Sequence, residues 1–173
     1  MEKITLIPLK GLAFENNETI GFGTSKARLF TLLGKPSVEF EKQLFYDDLE
    51  LRIDLDRSGR IEFIEFIYGP FPEKTEIEIY GINPFKTESS ELIKVLTKQN
   101  NGAVNEAEAP YCHAFLESSI GVFRDSCEAD VKEVIDKMKA NGEYATNEVW
   151  LNEDREKAKY FWTVGIGKKD YYK

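Results

Sequence analysis

The chain has 173 residues, with 31 acidic against 23 basic side chains and a formal net charge of −8. That length supports one domain, 1–173, which buries roughly two-thirds of its unfolded surface and so needs neither a metal nor a disulfide to fold. An acidic balance argues against nucleic acid, whose phosphates are held mainly by Lys and Arg, and favours a protein partner with a basic surface.

ITLIPL reads as a first strand that Pro8 confines to an edge or an end. GFGTSKARLFTLLGKP reads as a helix of about ten residues, with an N-cap at Thr24 or Ser25, Ala27, Phe30 and Leu33 along one face, and a stop at Gly34. From Leu49 the period becomes two: Leu49, Leu51, Ile53 and Leu55 alternate with Glu50, Arg52, Asp54 and Asp56, as in a half-buried strand. RIEFIEFIYG continues as a second strand whose apolar residues slip out of phase, which predicts a bulge or two-sided burial. TEIEIYG is a third strand, and Ser89 to Lys98 a second helix with Leu92, Ile93, Val95 and Leu96 on its apolar side.

YCHAFLESS and IGVFRD follow as short strands. In DSCEADVKEVIDKMKANG, Asp125 and Glu128 suggest a capping box, and Val131, Val134, Ile135 and Met138 a stripe that lies against a sheet. KYFWTVGIG is a last strand whose glycines admit close packing; Trp162 is expected in the core, and Trp150 is left unassigned. The expected class is therefore α+β, with a single antiparallel sheet and about three helices. A faint repeat between ETIGFGTSKARLFTLL and EIYGINPFKTESSELIKVL suggests two helix-then-hairpin units side by side.

Cys112 and Cys127 fit neither a disulfide framework nor a zinc ligand set, and no run approaches the roughly 20 apolar residues of a membrane span. A reduced, cytoplasmic protein with no membrane partner is expected.

One stretch spells out a known chemistry. DLDRSGRIEFIE places Asp54, Asp56, Ser58, Glu62 and Glu65 at the ligand positions of an EF-hand loop, with Gly59 at its glycine position. An EF-hand needs a helix on each side, whereas the flank before Asp54 alternates as a strand and Pro70 closes the flank after Glu65. Asp56 to Gly59 as the turn of a β-hairpin explains the same letters, so no metal is assigned. His113, the single histidine, and Cys127 are the candidate reactive groups. The dipole of the third helix would lower the Cys127 thiol pKa, while Asp125 and Glu128 push it back. No cofactor motif is present: GFGTSK lacks the ending of a phosphate loop.

IGFGTSKARLFTLLGKP, through Gly21, Gly23, Thr24, Leu32, Leu33, Gly34 and Pro36, followed by the hairpin from Leu49 to Phe66, resembles the opening segment of small bacterial α+β inhibitor proteins. These include β-lactamase inhibitor protein and immunity proteins encoded beside polymorphic toxins. The resemblance implies a non-enzymatic, immunity-type inhibitor that covers a partner's active site. The expected partner-binding residues are Asp47, Asp48, Glu50, Asp54 and Asp56, with Tyr68 and Phe71 as aromatic anchors. Two alternatives stay open: a small cytoplasmic enzyme using His113 or Cys127, and a calcium-binding module at residues 54–65.

Overall fold

The computed structural model describes residues 1–67 and 69–173, among which twelve strands and four helices are formed. Strands β1 (Glu2–Ile7), β2 (Gly11–Phe14) and β3 (Thr19–Gly21) precede α1 (Lys26–Leu33), and β4 (Val38–Phe40), β5 (Gln43–Tyr46), β6 (Leu51–Leu55) and β7 (Ile61–Phe66) follow it. β8 (Thr75–Ile79) leads to α2 (Ser89–Asn100), then β9 (Val104–Asn105), β10 (Cys112–Phe115) and β11 (Ile120–Phe123). Helices α3 (Glu128–Ala140) and α4 (Tyr144–Lys157) are inserted before the last strand, β12 (Thr163–Gly167).

The α+β class holds, but the single sheet with three helices does not. The strands form two sheets, ordered β3-β2-β1-β8 and β4-β5-β6-β7-β12-β11-β10-β9, and there is a fourth helix, α4. TEIEI leaves the large sheet because its buried residues Thr75, Ile77 and Ile79 register against β1, in a parallel pairing. The large sheet is antiparallel throughout, and its two arms mirror each other: α1 feeds β4 to β7, α2 feeds β9 to β11, and β7 meets β12 at the centre.

Alternation fixes which face is buried. Leu51, Ile53 and Leu55 pair with Phe66, Ile64 and Ile61 on the inner face, and the phase slip expected in β7 is a bulge that leaves Glu62 without a cross-strand partner. That face shares one core with the small sheet (Ile4, Leu6, Ile77), with Leu29 of α1, and with Leu92 and Leu96 of α2. Leu29, not Ala27, is the centre of the buried side of α1, whose N-cap Ser25 accepts from the Arg28 N–H.

α3 does not lie on a sheet. Its Val131 and Ile135 form a separate small core with Leu151 of α4 and Ala158, so the two helices are a hairpin stabilised by each other. Its cap is Cys127, not Asp125: the Cys127 N–H donates to Asp130 Oδ2 at 2.8 Å, and its sulfur accepts from the Asp130 N–H.

The outer face of the large sheet is partly covered by the end of the chain. Gly121 and Gly165 are direct cross-strand neighbours. A side chain at Gly121 would collide with Tyr172, and one at Gly167 with Tyr171, so these glycines leave the room the rings occupy. Tyr171 stacks on Phe63 at 4.6 Å between ring centres, and Tyr172 meets the same ring edge-on.

Candidate partner-binding groove

The hairpin tip is a structural joint. Strands β6 and β7 flank it where an EF-hand would have helices, so residues 54–65 form a hairpin and not an EF-hand. Asp56 Oδ1 accepts from the N–H groups of Ser58 (2.8 Å) and Arg60 (3.1 Å), which holds its carboxyl below the usual range. Arg60 reaches back to donate to the Gly23 carbonyl at 2.8 Å, and the Lys26 N–H donates to the Gly59 carbonyl. The tip thus docks on the start of α1.

Glu50 and Asp54 are not on a solvent wall. Glu50 is 5% exposed in a left-handed conformation, and its carboxylate accepts from the N–H groups of Glu73, Lys74 and Thr75 and from the Thr75 hydroxyl. Burial alone would raise its pKa; these bonds outweigh it and lower it. Asp54 lies on the outer face, where Arg52 Nη2 donates to it at 3.2 Å and Arg52 Nη1 contacts Glu65 at 3.0 Å. Burial raises both carboxyls, with the guanidinium opposing it. The alternation of β6 did place Asp54 opposite the core; the sequence could not show that Arg52, Glu65 and the C-terminal tyrosines crowd that side.

The candidate reactive groups lie apart from this hairpin. His113 faces the core at 4% exposure, edge-on to Phe161, with Nδ1 3.4 Å from a Glu106 carboxylate oxygen and neither ring nitrogen hydrogen-bonded among the described residues. Burial lowers its pKa, with Glu106 opposing, and it lines none of the clefts described below. Cys127 is buried as a cap, and Cys112, on the outer face of β10, has its thiol pKa raised by burial. Both thiols are free. Among the described residues no three metal-ligating side chains converge, and no helix is long and apolar enough to cross a membrane.

What remains of the expected set gathers on one side. Asp47 and Asp48 form an exposed 3₁₀ turn (Asp47–Leu49), and Lys74 Nζ bonds the Asp48 carboxylate at 2.9 Å and the Asp47 carbonyl at 3.2 Å. Beside them Phe71 is 57% exposed, its ring edge-to-face with Tyr160. Tyr68 lies outside the described residues. Phe85, between β8 and α2, is buried in the core.

Phe71 is shared by three of four clefts that, linked by common lining residues, make up a groove. On one side it shares a cleft with Asp47, Glu50, Glu73 and Lys74. On the other it lines clefts with Val149, Glu153, Glu156 and Lys157 of α4 and with Gly69, Pro70, Asp154 and Trp162. Trp162 and Asp154 then open into a cleft of about 370 Å³ walled by Val131, Val134, Trp150 and Leu151 and rimmed by Asp125, Ser126 and Asp130. Exposed apolar side chains run along the groove: Phe71, Val149, Trp150 and Val134. Contiguous exposure of this kind marks a binding surface more often than scattered single residues do. Its charged lining is acidic apart from Lys74 and Lys157.

Sequence reasoning missed Val149, Trp150, Asp154 and Trp162. Trp162 precedes β12 and is partly exposed in the groove, contrary to its expected place in the core. The one available signal was the run Val149-Trp150-Leu151, three large apolar residues in an otherwise polar segment. Comparison with protein-family models, with curated proteins and with solved structures finds no match to this chain.

Proposed function

We propose that the chain is a non-enzymatic, immunity-type inhibitor that acts in the cytoplasm and neutralises a basic partner protein by laying the groove around Phe71 over the partner's active site. The observation that carries this reading is the exposed, aromatic-studded groove with an acidic rim. Apolar anchors at the centre supply affinity, while carboxylates at the rim speed encounter with a basic cleft and compete for the place of its substrate. The free thiols suit a reducing compartment, and the saturated hydrogen bonding of Glu50 gives the rim a rigid base.

The binding residues in this reading are Asp47, Asp48 and Phe71 from the sequence, joined by Val149, Trp150, Asp154 and Trp162. The test is affinity capture from the source cell, followed by assay of the captured protein's own activity with the chain added back. Wild type should suppress that activity, and Phe71→Asp, at an exposed position, should not. Suppression that survives Phe71→Asp together with Trp150→Asp rejects the groove as the inhibitory surface.

A further inference from the structure

We infer that the tryptophan end of the groove, between α3, α4 and Trp162, is the seat for an arginine side chain of the partner protein. This rests on reading the groove as a protein-binding surface, and it names the chemistry that surface selects.

The chain has two tryptophans, and both line this one cleft, although one is on α4 and the other precedes β12. Their indole N–H groups are already used: Trp150 Nε1 donates to Asn147 Oδ1 at 2.9 Å, and Trp162 Nε1 to the Lys157 carbonyl at 3.3 Å. What the indoles offer a ligand is therefore their π-surface, which attracts cations. Elsewhere the chain's own basic side chains lie over aromatic rings, at Phe30, Phe63, Phe161 and Tyr144; among the described residues none lies over either tryptophan.

The charged lining points the same way. The carboxylates here are Asp125, Asp130 and Asp154, with no basic side chain in the cleft. Asp130 is committed to the Cys127 N–H and the Tyr111 hydroxyl. Asp125 and Asp154 have no basic partner among the described residues. The cleft thus joins two carboxylates without an ion-pair partner among the described residues to apolar walls, a match for a cation carried on a methylene stem. Arginine fits better than lysine: its planar guanidinium stacks on indole, sheds water more readily, and bonds carboxylates through two parallel N–H groups.

The experiment uses the full chain labelled with ¹⁵N, in which the indole N–H signals of Trp150 and Trp162 report from the two walls of the cleft. The probe is N-acetyl-arginine N-methylamide, compared with the citrulline compound, which keeps the shape and removes the charge. Both indole signals should move saturably with the arginine compound, with affinity for citrulline about tenfold weaker or less. The double variant Asp125→Asn, Asp154→Asn should weaken the arginine compound about fivefold or more. Equal shifts with citrulline, or indole signals that do not move, overturn the seat. A captured partner whose binding falls with Phe71→Asp but ignores the double variant overturns the seat and spares the inhibitor reading. Saturable arginine binding with a partner indifferent to Phe71→Asp overturns that reading instead.

Discussion

Glu50 stands at the junction of both sheets: it closes the 3₁₀ turn before β6 and holds the backbone that enters β8. Glu50→Ala would strip the acceptor from the N–H groups of Glu73, Lys74 and Thr75, of which Thr75 is buried, and a buried donor left unsatisfied costs about 1–3 kcal/mol. A fall of that size in the urea unfolding free energy is expected. Because its folded pKa is lowered, its contribution is present above the ordinary glutamate range and lost as the pH falls through the folded value. His113 also weakens the fold in acid, by a different route. Its folded pKa is lowered by burial, so the unfolded chain takes up the proton first; stability is full above about pH 6.5 and declines below it. His113→Phe, which retains an aromatic ring against Phe161, should flatten the loss of stability between about pH 7 and pH 5 in denaturant titrations; an unchanged slope contradicts this. Asp54 and Glu65, whose pKa values are raised, act in the opposite sense and are relieved in acid.

Among the elements, the α3–α4 hairpin depends most on its own pairing, since its small core is Val131, Ile135, Leu151 and Ala158. Leu151→Ala should cost about 2–4 kcal/mol locally, seen as faster amide hydrogen exchange in α3 and α4 with β6, β7 and β12 still protected; uniform loss of protection would argue against a separate unit. The same hairpin shows where the sequence was legible. β6 could be read because one buried face imposes strict alternation, and α3 because Val131 and Ile135 recur at helical spacing. α4 could not, because Leu151 is its one buried residue and the large apolar side chains of Val149 and Trp150, which directly precede it in sequence, are exposed, so no helical period emerges. The partners of Glu50 lie more than twenty residues further along, and the cleft walled by Trp150 and Trp162 exists only because the hairpin is inserted between β11 and β12. Contacts of that kind are properties of topology and leave no local pattern.

Across the whole molecule the excess of acid is unevenly spent. Asp54, Asp56 and Glu50 are consumed by an ion pair, a turn and a backbone clamp; Asp47, Asp125 and Asp154 line the groove, and Asp48, bonded to Lys74, stands beside Asp47. The most direct measurement is calorimetric titration of the captured partner against wild type, Phe71→Ala and Asp56→Asn. Removing a central aromatic anchor should weaken binding about thirtyfold, or roughly 2 kcal/mol, while Asp56→Asn, at the hairpin tip, should bind as wild type. Affinity unchanged by Phe71→Ala, or lost with Asp56→Asn instead, would contradict the groove as the binding surface.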